Sequence, residues 1–267
     1  MKRILQLMDM KGHCALITGA TGGLGTIMAE TLAELGADLI LVDRPESDFE
    51  QLETGLSKNF DVNVRSMHCD LESEEDRSLL IDQVKSEKPG LNCLVNNAAF
   101  VGTSGLTGWV EPFEKQTVDT WRRAVEVNLT AVFDLSKAFY PVIKQSGHGS
   151  IINIASIYGV NGPDYSLYEG TEMGNPAAYA ASKGGLLQLT RWLATTLAPD
   201  VRVNAISPGG VFRNQPEAFV ERYTRRTPLQ RMALEDDFKG ATAFLASDLS
   251  AYVTGQNVVI DGGWGVW

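Results

Sequence analysis

Basic charge, paired cysteines and long apolar runs are all missing from this 267-residue chain. Lys and Arg number 23 against 33 Asp and Glu, a formal net charge of −10. An acidic protein of this kind lacks the electrostatic footprint needed to hold nucleic acid or an anionic membrane. The three cysteines, Cys14, Cys69 and Cys93, show no CxxC spacing. They read as apolar core residues, with no disulfide framework and no metal site expected. The three histidines, His13, His68 and His148, lie near strand starts or loops and read as structural or surface residues. No stretch approaches the roughly 18 consecutive apolar residues of a membrane span. Lys2 and Arg3 precede Ile4-Leu5, but Asp9 and Lys11 interrupt the run before it reaches signal-peptide length, so a cytoplasmic location is expected.

What is present is a regular alternation. Short apolar runs occur at Cys14–Thr18, Asp38–Asp43, Val62–Cys69, Cys93–Asn96, Ile151–Ala155, Val201–Ser207 and Val258–Ile260. Most are too short for helices and are flanked by Gly, Asn or Pro, as expected of strands buried on both faces. Between them lie segments of helical periodicity with readable starts. Ser73-Glu74-Glu75-Asp76 resembles a capping box, and Asn175-Pro176 offers an N-cap followed by Pro at the first helical position. The expected fold is α/β, a doubly wound Rossmann-type parallel sheet of seven strands flanked by helices. No linker or repeat divides it. Residues 1–267 read as one domain, with an N-terminal extension over 1–11 and an insertion over 160–176.

The first strand runs into Thr18-Gly19-Ala20-Thr21-Gly22-Gly23-Leu24-Gly25 and then a helix. A glycine-rich turn between strand and helix lets the backbone, here Gly19 and Thr21 to Gly25, approach a pyrophosphate, with helix N–H groups aimed at it. The second strand ends in Asp43, 18 residues after Gly25. That matches the spacing at which a carboxylate meets the adenosine ribose, accepting its hydroxyls and repelling a 2′-phosphate. NAD is therefore the expected cofactor, although the neighbouring Arg44 could pair with a 2′-phosphate.

A second constellation is Tyr179 and Lys183, four apart and so on one helical face. A phenol with an ordinary pKa near 10 is a poor base at neutral pH. Lowering it by about three units takes about 4 kcal/mol, which a cation about 4 Å away at an effective dielectric near 20 can supply.

Thr18-Gly-x-x-x-Gly23-x-Gly25, Asn96-Asn97-Ala98-Ala99, Asn128, Ser156, Tyr179-x-x-x-Lys183 and Pro208-Gly209 occur in the order of the short-chain dehydrogenase/reductase family. The resemblance runs from Gly12 to Asp261-Gly262-Gly263 and implies an oxidoreductase moving a hydride between a nicotinamide cofactor and a secondary alcohol or ketone. It implies that Tyr179 is the general acid/base, and that Lys183 holds the nicotinamide ribose and lowers the Tyr179 pKa. Ser156 would hydrogen-bond the reacting oxygen, and Asn128 would hold a water in a proton relay through Lys183. Asp70, with Leu71, would meet the adenine; Asn97, Ala98 and Ala99 would line the cofactor; Pro208, Gly209 and Val211 would border the nicotinamide. Relatives of this type are usually tetramers or dimers, and a homo-oligomer is expected.

Three departures stand out. Ala99 replaces a usual glycine. Phe212-Arg213 follows Pro208-Gly209-Gly210-Val211 where a threonine is common. The stretch between Ser156 and Tyr179 is longer than usual, and should lie over the substrate cleft. It carries Tyr165, Tyr168, Glu169 and Glu172, suited to a polyol, and Tyr158 and Tyr168 are candidate substrate contacts. A second loop, Phe100 to Phe113, adds Thr103, Ser104 and Trp109. A third carries Arg213, then Arg222, Arg225 and Arg226, a cationic group pointing to an anionic substrate. Arg213 is the candidate contact to substrate or pyrophosphate.

The stretches Leu167–Thr171 and Arg213–Pro216 are similar to dehydrogenases of bacterial surface-sugar and flagellin-glycan pathways. A phosphorylated, nucleotide-linked or acidic sugar is the expected substrate; an apolar ketone or acyl substrate and a non-catalytic nicotinamide-sensing scaffold are the alternatives. Trp264 and Trp267 near the C-terminus are expected to pack against another subunit.

Overall fold

A computed structural model describes residues 1–86, 90–101 and 106–267 of the chain. Thr103 and Ser104 lie outside the described residues. Within them, β1 (Cys14–Thr18), β2 (Asp38–Asp43), β3 (Val64–His68), β4 (Cys93–Asn96), β5 (Gly149–Ile154), β6 (Val201–Pro208) and β7 (Asn257–Ile260) form one seven-stranded sheet. Every pairing is parallel, in the order β3-β2-β1-β4-β5-β6-β7. The strand order reverses between β1 and β4, and such a reversal opens a ligand crevice at the carboxyl ends of the strands.

The apolar runs are continuous because both sheet faces are covered. On one face, α2 (Gly23–Glu34), α3 (Glu50–Asn59) and α9 (Lys239–Ala246) bring Met28, Leu32, Leu56 and Leu245 against Ile17, Leu41, Val95 and Ile206. On the other, α4 (Glu74–Ser86), α6 (Ala131–Gln145) and α7 (Ala177–Leu197) bring Leu80, Leu135, Phe139 and Leu193 against Leu16, Val42, Leu94 and Val203. Two helices, α5 (Val118–Val125) and α8 (Glu217–Arg226), lie nearer the carboxyl ends of the strands, and α1 (Ile4–Met8) belongs to the N-terminal extension. That extension is stitched to the body: Met10 is fully buried and its N–H donates to the Leu35 carbonyl. No described helix is long and apolar enough to cross a membrane.

Several boundaries differ from expectation. β3 is shorter than Val62–Cys69 because the Asn63 N–H is taken by the Asp38 carboxylate rather than by the sheet ladder. α7 begins at Ala177 with Pro176 as its N-cap, so Asn175 does not cap it. Its first N–H donates instead to the side chain of Gln116, 61 positions away. Trp264 does not face another subunit: it is 1% exposed, stacked on Tyr223 and covered by the Arg226 guanidinium, while Trp267 stays exposed.

Arg77, which no sequence motif marked, is 3% exposed and pairs with Glu126 at 2.8 Å and Asp134 at 3.1 Å. It also donates to the Leu71 carbonyl at 2.6 Å, tying the turn after β3 to α4 and α6. Arg77→Ala leaves two carboxylates and a carbonyl without their cation and should lower unfolding stability by about 3 kcal/mol in urea titration; a change near zero would show that the pairing is dispensable.

Candidate active site

The glycine-rich turn sits at the β1 end of the crevice. A side chain on Gly25 would collide with the Gly19 carbonyl, and one on Gly19 would stand 2.8 Å from the Ala98 Cα. The turn is thus pressed between its own helix and the loop after β4, with Gly22 and Gly23 exposed at its crest. Gly22 is the N-cap of α2 and has no side chain to satisfy the first helical N–H groups, which leaves them for an anion. The Asp43 carboxylate closes the other side, accepting from the Thr21 N–H at 2.8 Å and the Thr21 hydroxyl at 2.7 Å. The Arg44 guanidinium turns outward to Glu46 at 3.0 Å, with both side chains largely exposed.

Thr18 fastens the next wall. Its hydroxyl accepts from the N–H groups of Asn97 and Ala98, and the Asn97 amide donates to the carbonyls of Thr18 and Gly19. Ala99 is not among the residues with positive φ, so its methyl adds no backbone strain. The Asp70 carboxylate accepts from Glu72, and Leu71 is buried beside it. Beyond β6, the Gly209 N–H donates to Ile260, and the Gly210 N–H to the Tyr223 phenol at 2.6 Å. Val211 bridges to Ala233. These surfaces suit an extended dinucleotide: a Cβ-free cradle, open helix N–H groups and a carboxylate at the far end.

The four expected catalytic residues converge where β5 meets α7. Ser156 follows β5 and Tyr179 lies in the first turn of α7, half-buried, with its phenol hydrogen-bonded by Ser156. Lys183, one turn on, is 2% exposed and donates to the Ile154 carbonyl at 2.7 Å, its Nζ 5.8 Å from the Tyr179 ring centre. Burial pushes the Tyr179 phenol above its ordinary range, and the Ser156 hydrogen bond works against that shift. Depression of the phenol by Lys183 alone is therefore not what the chain's own groups produce. The ammonium is committed to the Ile154 carbonyl and is itself pulled down to about 8 by burial.

Asn128 lies in a π-helical turn, Glu126–Thr130, between α5 and α6. Its amide accepts from the Phe100 N–H at 2.6 Å and donates to the Ser182 hydroxyl at 3.0 Å, so the side chain braces the loop after β4 against α7. Gly159 carries no motif of its own, yet a Cβ there would stand 2.7 Å from the Lys183 carbonyl. Its nearness lets the Ser156 turn lie flush on α7.

The 160–176 stretch packs over this corner. The phenols of Tyr158 and Tyr168 meet at 2.5 Å, and the Asn175 amide hydrogen-bonds both. The Asn175 Oδ1 is buried without a partner. The sequence pattern marks Asn175 only as a helix cap, and nothing local points to its place beside the two phenols. The cationic loop dissolves into structural pairs. Arg226 binds Asp164, Arg222 donates to the Glu169 and Leu167 carbonyls, and Arg225 pairs with Glu221 one turn away. Arg222 and Arg226 hold the 160–176 stretch down, and Arg225 is paired within its own helix. Trp109 is likewise structural, buried against Phe100 with its N–H on the Val101 carbonyl.

A family model described as enoyl-(acyl carrier protein) reductase matches residues 19–265. The crystal structure of a short-chain dehydrogenase from Leptospira borgpetersenii with bound NAD+ superposes with a TM-score of 0.82 at 32% identity, covering 99% of this chain and 96% of that one. The chain is a short-chain dehydrogenase/reductase. As such it is an oxidoreductase acting on CH–OH groups with a nicotinamide cofactor. This dehydrogenase is also 31% identical to a post-translational flagellin modification protein A from Campylobacter coli, over 96% of this chain and all of that one. A gluconate 5-dehydrogenase from Burkholderia cenocepacia, in complex with NADP and tartrate, superposes with a TM-score of 0.81 at 28% identity, covering 99% of this chain and 100% of that one.

The buried lysine of the dehydrogenase has a thermodynamic consequence. Its pKa falls from 10.5 to about 8 on folding, so the unfolded chain binds that proton more tightly. Stability is lost as pH falls from the unfolded value toward the folded one, and the loss levels off below it at about 3 kcal/mol. Lys183→Met sheds this cost but leaves the Ile154 carbonyl unpaired. It should unfold about 1–2 kcal/mol later than wild type at pH 7, the gain fading toward pH 10. A lower stability of the variant at pH 7 in guanidinium titration would contradict this.

Proposed function

We propose that this dehydrogenase interconverts a secondary alcohol and a ketone on a polyhydroxylated, anionic sugar-type substrate, with NAD as its cofactor. The observation that carries the chemistry is the meeting of Ser156, Tyr179 and Lys183 at the end of β5, beside a glycine turn closed by Asp43. Gly19 and Thr21 to Gly25 would hold the pyrophosphate, Asp43 the adenosine ribose, Asp70 and Leu71 the adenine, and Asn97 to Ala99, Pro208, Gly209 and Val211 the nicotinamide half. When bound, the cofactor supplies the hydride acceptor or donor and, oxidised, a positive charge near Tyr179. Tyr179 exchanges a proton with the substrate oxygen at its Oη. Ser156 orients that oxygen and shares a hydrogen bond with the phenol. Lys183 contributes its charge from one turn below and holds the ribose. Asn128 fixes the spacing between α7 and the loop after β4 with its amide, and would hold a water in a proton relay through Lys183.

NAD is preferred over NADP because a carboxylate stands at the end of β2 while Arg44 is engaged with Glu46. The substrate class rests on the phenols of Tyr158 and Tyr168, on the unpartnered Asn175 oxygen, and on the sugar-acid and flagellin relatives, not on the α8 arginines. Cys69 and Cys93, buried thiols pushed up to about 12 chiefly by burial, suit a reducing compartment such as the cytoplasm.

The deciding experiment follows reduced-nicotinamide absorbance with NAD and NADP over a panel of acidic, phosphorylated and nucleotide-linked sugars, plus apolar ketones and alcohols. Turnover is expected with NAD and a hydroxylated acid, reduced about 10²–10⁴-fold in Tyr179→Phe. Asp43→Asn should narrow the NAD preference by about tenfold. Turnover confined to apolar substrates, or undiminished in Tyr179→Phe, would overturn the reading.

A homodimer or homotetramer is part of the same proposal. Trp121, Phe133 and Trp192, on α5, α6 and α7, are large apolar side chains left exposed on the single chain. Light scattering should return a multiple of the chain mass; a monomer at micromolar concentration would exclude it.

A further inference from the structure

The glycine-rich turn Thr18–Gly25 contains no lysine or arginine. A cation reaches it from elsewhere. A terminal nitrogen of Arg213 lies 2.8 Å from the point where a Cβ on Gly23 would stand, and Glu235 Oε1 lies 2.9 Å from the same point. Arg213 Nε donates to that Glu235 oxygen at 3.1 Å. Both side chains are partly exposed, so the pair rests on the open crest of the turn rather than inside the protein.

The turn that presents Arg213 is built for one position. The Arg213 N–H donates to the Gln215 side-chain oxygen at 2.7 Å, and the Gln215 amide nitrogen donates back to the Val211 carbonyl at 2.7 Å. Asn214 between them takes a left-handed conformation, φ 57°. Glu235 opens the short helical turn Glu235–Phe238, which leads directly into α9 beside α2. Its carboxylate therefore lies by the positive end of α2, where an anion is favoured and where no side chain caps the helix.

We infer that Arg213 binds the pyrophosphate of the dinucleotide and that Glu235 is the internal anion it exchanges for those phosphates. This rests on the dinucleotide reading of the glycine turn and adds to it a latch drawn from the loop after β6. Without cofactor, Glu235 is paired with Arg213 beside the uncapped end of α2. With cofactor, the phosphates bring more charge to the same two donors, and Arg213 shifts from one partner to the other. Glu235 then opposes binding, because its charge competes for Arg213 and repels the incoming phosphates.

The test titrates wild type, Arg213→Ala, Arg213→Gln and Glu235→Gln with NADH and with NADPH, read by cofactor fluorescence, with circular dichroism to confirm folding. Both Arg213 variants should bind each cofactor about tenfold more weakly, by the same factor, since the pyrophosphate is common to both. Glu235→Gln should bind each about threefold more tightly. Four results would overturn the assignment. They are unchanged NADH affinity in both Arg213 variants, a loss confined to NADPH, a raised substrate KM with NADH affinity unmoved, and weaker binding in Glu235→Gln. Failure of the wild type to bind either cofactor would instead remove the dinucleotide reading, and the latch with it.

Discussion

A charged lysine has to be carried under the carboxyl ends of the sheet, and much of the molecule is arranged around that requirement. Lys183 is only 2% exposed, and its ammonium donates to the Ile154 carbonyl. Desolvation draws its pKa toward neutrality, a cost that a structure selected only for stability would avoid. The neighbouring packing keeps the group in place. Gly159 allows the Ser156 turn to touch the backbone of α7, Asn128 clamps the loop after β4 to Ser182, and Gln116 caps the helix from outside. These contacts fix where α7 lies, and with it the approach of Tyr179 to Ser156.

The same logic accounts for the charge distribution. An acidic chain with a run of arginines invites the reading that the arginines face a substrate. In the fold they are spent on structure: Arg222 and Arg226 pin the insertion, and Arg77 anchors the turn that carries Asp70 and Leu71. An arginine has five donors, and a loop crossing a surface carries carbonyls that need them, so structural use is the default where the two meet. Arg213 differs in standing on an open helix end with a partly exposed partner.

The 160–176 stretch is packed against α8 and the C-terminal residues. Leu167 and the rings of Tyr168, Phe219, Tyr223 and Trp264 form a small core of their own, separate from the two that cover the sheet. That core fixes the insertion as a wall instead of a loose flap. Its polar corner, Tyr158 with Tyr168 and Asn175, stands above the reacting groups with one amide oxygen unsatisfied. A buried acceptor of this kind favours a ligand that brings a donor.

Periodicity and local chemistry were enough to read the sheet, its helices and the order of the motifs. Buried strands must be apolar on both faces, glycine must occupy a turn with no room for a Cβ, and Tyr179 and Lys183 must share a helical face. Strand ends shifted by a residue or two where one side chain, such as Asp38, took a backbone donor from the ladder. What the sequence could not reveal were the contacts between residues far apart in the chain: the burial that raises Tyr179 and lowers Lys183, the capture of Arg226 by Asp164, and the withdrawal of Trp264 beneath Tyr223 and Arg226. The fold class and the shared helical face of Tyr179 and Lys183 were determined by the sequence itself, because they depend on spacing along the chain. Which charges stayed free and which polar atoms stayed unpaired was decided only in three dimensions, because desolvation and pairing depend on neighbours that spacing does not name.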